Sequence, residues 1–206
     1  MSAKIKRILM RFTSNGREHR PPASGVPYCC WCLPVSGVGM LAMSRILTVF
    51  YSRTGHTHSV AEVISGTLGA DLEELEERRR RNYLIAGLGA LFKRETQLKP
   101  VHTTPENYDL VIVGTPVWAS SLPPAVRTYI HEHAEGFERI AFFCTEGNVG
   151  GQDVFKQMED LCGKSPVATL EITEGDIKSG KHKEKTASFV EALKPALAPK
   201  GTAPQN

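Results

Sequence analysis

Several features that would narrow the function of this chain are missing from it. No apolar run in the 206 residues approaches the roughly 20 needed to span a bilayer, so no membrane span is expected. Five cysteines are too few and too uneven for a disulfide framework: Cys29, Cys30 and Cys32 crowd into the N-terminal segment, while Cys144 and Cys162 stand apart. A reducing, cytoplasmic location is the expectation that follows. The Cys-Cys-x-Cys cluster has no second ligand pair at zinc-site spacing, and no metal site is expected. Excess basic charge is lacking as well. The formal +3 originates in residues 1–42, which hold six Lys/Arg (Lys4, Lys6, Arg7, Arg11, Arg17, Arg20) against Glu18, whereas residues 43–206 keep 19 basic and 21 acidic residues. A slightly acidic body gives a nucleic-acid partner no support.

Residues 1–42 contain four prolines and four glycines and no sustained periodicity. They read as a disordered or misassigned leader, with Met43 as the functional start, because the first strand begins three residues later. A secretory signal fits poorly, since prolines interrupt its would-be apolar core. From residue 45 onward strand and helix patterns alternate, which specifies an α/β domain with a parallel sheet covered on both faces. Strands are expected over 46–51, 70–75, 110–115, 139–144 and 167–172, and helices from about 57–68, 124–133, 152–162 and 183–193. The domain is set at 43–195, and 196–206 is expected to be a flexible tail.

The chemistry starts where the first strand ends. Ile46-Leu47-Thr48-Val49-Phe50-Tyr51 is β-branched and aromatic without polar alternation, as a central parallel strand should be. Ser52-Arg53-Thr54-Gly55-His56-Thr57 follows, and Ala61, Val63, Ile64 and Leu68 then recur at helical spacing. Such a turn puts unpaired N–H groups and the positive end of a helix dipole beside three hydroxyls and a glycine, which together cradle a phosphate. The alternative is an ordinary turn in which Thr54 or Thr57 only caps the helix.

The hexapeptide resembles the phosphate loop of the flavodoxin family, whose pattern is Ser/Thr-x-Thr-Gly-x-Thr. The resemblance extends over about residues 45–193 and implies a doubly wound five-stranded parallel sheet of order 2-1-3-4-5. It also implies FMN at the switch point between strands one and three. Ser52, Arg53, Thr54, Gly55, His56 and Thr57 would then hold the phosphate. Thr115, Pro116 and Val117 would line the ribityl chain, with Trp118 stacking on the ring rather than packing under a helix. The loop Thr145, Glu146, Gly147, Asn148, Val149, Gly150 and Gly151 would meet the pyrimidine edge. Many flavodoxins have a tyrosine in that last loop and none stands here, which would leave one ring face open. Glu146 is a candidate for negative charge near the flavin, although a solvated loop carboxylate is the preferred reading. No catalytic proton-transfer residue stands out.

Other signals carry less. Gly175-Asp-Ile-Lys-Ser-Gly180-Lys181-His182 misses a P-loop by its last residue and reads as a connecting loop. His131 and His133 lack the spacing of a helical zinc pair, and Cys144 reads as an inert core thiol. The insertion at 78–92 sets Arg78 to Arg81 beside an apolar stretch. It either docks an acidic partner or anionic membrane surface or, the preferred reading, covers the sheet edge with its arginines solvated or paired to Glu73, Glu74, Glu76 and Glu77.

The expected function is electron transfer through a non-covalently bound flavin, exchanged with a redox partner protein or a small-molecule acceptor. A NAD(P)H-dependent FMN or quinone reductase is the alternative, and a flavin-free interaction module is the weaker one.

Overall fold

A computed structural model of the chain describes residues 44–78, 95–147 and 149–197. The leader, the tail beyond 197, Asn148 and all of the insertion but Arg78 lie outside the described residues. Five parallel strands, β1 (Ile46–Phe50), β2 (Asp71–Glu74), β3 (Leu110–Pro116), β4 (Ile140–Glu146) and β5 (Thr169–Thr173), form one sheet in the order β2-β1-β3-β4-β5. The helices are α1 (His56–Leu68), α2 (Pro124–His133), α3 (Gly151–Cys162), α4 (Glu174–Ser179) and α5 (His182–Leu197).

The period of two in a strand sorts its side chains between two cores. Leu47, Val49 and Tyr51, Val111 and Val113, and Phe142 and Cys144 point to the face covered by α2 and α3, where they meet Leu122, Val126, Tyr129, Phe155 and Met158. Ile46, Phe50, Leu110, Ile112, Phe143, Leu170 and Ile172 point to the opposite face, against Val60, Ala61 and Ile64 of α1 and Phe189 and Leu193 of α5. Continuous apolar runs are what a sheet buried on both sides requires. Gly114, mid-β3, is bare because the Phe143 ring lies over it: a Cβ there would stand 2.1 Å from Cζ.

The strand order and the helix at Pro124–His133 match the expectation. Several boundaries move by one or two residues, and three differences bear on the site or its support. β4 runs two residues past Cys144, because Thr145 pairs with Pro116 on one side and Glu146 with Thr173 on the other, so these residues are strand and not loop. The Gly175 segment is not a connecting loop; it forms α4, started by a reciprocal cap in which the Thr173 hydroxyl accepts from Asp176 N–H and the Asp176 carboxylate accepts from Thr173 N–H. α5 continues past the expected end at 193, through Pro195 to Leu197, and Ser44 Oγ donates to Leu197 O at 2.8 Å, tying its end to the start of β1. No helix among the described residues is long and apolar enough to cross a membrane.

Candidate functional site

Between β1 and β3 the chain reverses its direction of travel across the sheet, so the connections after these two strands part and leave a crevice at their carboxyl ends. Residues from three loops surround it.

The first loop spans 52–55. Gly55 caps α1 in the left-handed region, φ 89°, where a side chain would be strained, and its N–H donates to Ser52 Oγ at 3.1 Å. No side chain caps the helix, and its first turn carries no acid. Arg53, Thr54 and His56 are exposed, whereas Thr57 is buried and its hydroxyl lies 2.8 Å from that of Thr145. This bond fastens the first turn of α1 to the end of β4.

The second loop starts from Thr115, buried, whose hydroxyl donates to Pro116 O. Val117 N–H donates to Thr145 O, and Trp118 and Ser121 exchange two backbone hydrogen bonds of 3.1 and 2.9 Å around Ala119 and Ser120. Both turn residues have positive φ, 49° and 55°. This is the twist that suits a two-residue hairpin, here built without the glycine or asparagine that usually accompanies it. Trp118 is held edge-on to Tyr51, ring centroids 5.7 Å apart, with the Arg53 guanidinium 5.5 Å from the indole centroid.

In the third loop Gly147 and Val149 are exposed, and Gly150, φ 114°, caps α3. A Cβ on Gly150 would lie 2.9 Å from both Cα and Oγ of Ser120, so the second and third loops pack backbone to backbone. Glu146 corrects the expectation of a solvated carboxylate. It is 4% exposed, and its Oε2 accepts from Gly151 N–H at 2.8 Å. Burial, then the neighbouring Glu171 carboxyl, pushes its pKa up to about 7, against the pull of Gly151 N–H and Lys185. Cys144 is fully buried, and burial pushes its thiol well above the ordinary range, as an inert core cysteine requires.

These loops enclose a cavity of about 240 Å3. Arg53, Thr54, His56, Pro116, Val117, Trp118, Thr145, Glu146 and Gly147 line it, all anticipated, together with Glu174 and Ile177 of α4, which were not. The pattern Thr173-x-x-Asp176 was the available signal for that helix. Ser52, Gly55, Thr57, Thr115, Gly150 and Gly151 support the walls without lining them. A neighbouring cavity of about 310 Å3 shares Arg53 but is otherwise walled by Tyr51, Ser52 and residues 74–77, three of them glutamates. That lining repels an anion. The two cavities therefore differ in polarity, and only the first pairs Arg53 and His56 with the glycine-capped start of α1.

Strand order, crossover point and loop placement together decide the architecture. The fold is flavodoxin-like. No family model matches the sequence. Among solved structures with this flavodoxin-like fold is an FMN complex of a flavoprotein from Lactobacillus acidophilus NCFM, 19% identical, with a TM-score of 0.53 over 67% of this chain and 97% of that one. A candidate flavoprotein from Bacteroides eggerthii DSM 20697, also 19% identical, has a TM-score of 0.59 over 76% of this chain and 99% of its own. Another, from Bacteroides uniformis ATCC 8492, is 16% identical with a TM-score of 0.57 over 72% and 98%.

Proposed function

We propose that this protein binds FMN non-covalently in the 240 Å3 cavity and transfers electrons through it. The observation that carries the reading is the convergence of three loops on one crevice, with an anion-attracting end and an aromatic side. Ser52, Arg53, Thr54, Gly55, His56 and Thr57 would hold the phosphate. The uncapped first turn of α1 and the Arg53 charge supply the attraction, while the Thr57–Thr145 hydrogen bond keeps the turn in place. Thr115, Pro116 and Val117 would flank the ribityl chain, Trp118 would pack on the ring, and the β4 loop would meet its polar edge. Bound there, FMN supplies one- and two-electron redox chemistry, and the protein supplies position, dryness and charge. The L. acidophilus flavoprotein, which carries FMN on this fold, supports the cofactor. Free, buried Cys144 and Cys162 are in keeping with a reducing cytoplasm, and a redox protein or small acceptor is the partner of this reading.

A reductase accepting hydride from NAD(P)H has one observation in its favour. Among the described residues of the third loop, Gly147 and Val149 are exposed and neither carries an aromatic ring, in keeping with a second planar group stacking there.

Titration with FMN, followed by quenching of flavin fluorescence and by the visible spectrum, tests the reading. Saturation at one FMN per chain, weakened about tenfold or more by Thr54→Ala and by Trp118→Ala, is expected. Unperturbed flavin bands at tens of micromolar protein would reject it. Anaerobic mixing of the loaded protein with NADPH separates the two roles, because only the reductase bleaches the flavin without a partner.

A further inference from the structure

Glu146 and Glu171 are brought together by register. β4 pairs with β5 so that Cys144 stands opposite Glu171 and Glu146 opposite Thr173, and Glu146 and Glu171 are thus diagonal neighbours on the α3 face. Gly151, the first residue of α3, is pressed against both. Its N–H donates to Glu146 Oε2 at 2.8 Å, and a Cβ in its place would lie 2.7 Å from Glu171 Cδ. Glu171 Oε2 accepts from Gln152 Nε2 at 2.9 Å. Glu146 Oε1, by contrast, is buried and has no donor, and besides the Gly151 N–H the Glu171 carboxyl is within hydrogen-bonding reach of this side chain.

Two carboxylates cannot satisfy one another without a proton between them. Among the described residues no cation forms an ion pair with either carboxylate. Lys185 of α5 spends its charge on Asp176 Oδ2, 2.6 Å away, and reaches only the backbone oxygen of Glu171, at 3.4 Å. Glu174 of α4 adds negative charge to the cavity lining, and Arg53 and His56 belong to its phosphate-loop wall. Burial of Glu146, pushing its pKa up to about 7, agrees with the geometry.

We propose that Glu146 and Glu171 hold one shared proton at the cavity wall, and that this pair, carrying one negative charge instead of two, is a positioning element for a heteroaromatic ligand whose polar edge is made of hydrogen-bond acceptors. The ligand's identity as FMN rests on the function proposed above. When the pair loses its proton, a second negative charge is buried beside the cavity and repels such an edge, so the ligand is held less well.

The test has a ligand-free arm and a ligand arm. Carbon-13 NMR of the glutamate carboxyl carbons of the whole protein between pH 4 and pH 9 is expected to show one group titrating near 7, moving toward the ordinary carboxylate range in Glu171→Gln. Both carboxyls titrating below pH 5.5 would overturn the shared proton. In the ligand arm, the FMN dissociation constant is measured at pH 6 and pH 8 for the wild type and Glu146→Gln. The ratio between the two proteins cancels ionisation of the FMN phosphate. That ratio is expected to change by about tenfold across the two pH values, as follows when only the protonated pair binds. An unchanged ratio overturns the role toward the ligand even where the NMR arm holds. No FMN binding at either pH overturns the flavin reading and this role with it, and the NMR arm still decides whether the proton is shared.

Discussion

The hydrogen bond between the Thr57 and Thr145 hydroxyls ties the phosphate-loop helix to the central sheet, and its strength can be read by a double-mutant cycle. Both residues are buried, at 2% and 6% exposure, and their Oγ1 atoms are 2.8 Å apart. Valine keeps the shape and the β-branch of threonine and removes only the hydroxyl. A single Thr57→Val or Thr145→Val loses one neutral hydrogen bond and strands the partner hydroxyl away from water, at a cost of about 1 to 2 kcal/mol. With both changed, no orphan remains and two apolar groups meet, so the double variant should sit within about 1 kcal/mol of the wild type. A coupling of about 1 to 4 kcal/mol follows, positive in the sense that the second substitution repairs the first. Urea unfolding of the ligand-free protein, followed by far-ultraviolet circular dichroism, measures each corner. At this chain length about 1 kcal/mol corresponds to roughly 2 to 4 °C in Tm, so thermal melts provide a check. Strictly additive costs, or single variants within about 0.3 kcal/mol of the wild type, would refute the reasoning.

Three further outcomes are expected. Gly114→Ala drives a methyl into the Phe143 ring, which is fully buried and has no room to retreat, and should cost about 3 kcal/mol in urea unfolding; a loss below about 1 kcal/mol would show that β3 and β4 shift apart cheaply. Glu146 has its pKa raised from 4.5 to about 7, so the folded state holds a proton that the unfolded state releases; its stabilisation is complete below pH 4.5 and is lost as pH rises through 7, on the order of 3 kcal/mol in all. The wild-type urea midpoint should therefore fall relative to that of Glu146→Gln between pH 4.5 and pH 8, and parallel profiles would contradict it. Thr54→Asp places a fixed anion beside the start of α1, and should weaken FMN binding tenfold or more while leaving riboflavin, which has no phosphate, within about twofold; equal losses for both ligands would put the phosphate elsewhere.

Much of this molecule was legible because its three central strands are continuous buried runs and its helices carry apolar residues at helical spacing. The β1-to-α1 turn was legible for a different reason: a glycine flanked by hydroxyls has few other uses at the end of a buried strand. Sequence failed where polar residues are buried. Thr145 and Glu146 look like the start of a loop, and only the ladder partners Pro116 and Thr173, distant in the chain, make them strand. The burial of Glu146 follows from that register, which no local pattern encodes. The hairpin at Ala119 and Ser120 was hidden because neither residue favours positive φ; the conformation is imposed by the paired backbone of Trp118 and Ser121 and by contact with Gly150. The α4 helix was masked by Gly175 and by its shortness, although its cap was written in Thr173 and Asp176.

Two helices that begin beside the cavity, α1 and α3, differ in a way that would orient the proposed ligand. α1 and α3 both start from a left-handed glycine, Gly55 and Gly150, and neither has a side chain on its cap residue to satisfy the first turn. By dipole alone either could receive an anion. In α3 the first N–H is already taken by the Glu146 carboxyl and Asp153 lies in the first turn, so that end is occupied from within the chain. In α1 no acid stands in the first turn, and Arg53 and His56 flank it on the cavity side. In the proposed FMN complex a dianionic phosphate would thus be kept from the α3 end by charge and drawn to the α1 end by backbone, dipole and guanidinium together. The ring, tethered to that phosphate, would extend along Val117 and Trp118 toward β4 and the Glu146 wall. On this reading the same carboxylate that closes one helix to anions would fix which end of an asymmetric ligand enters first.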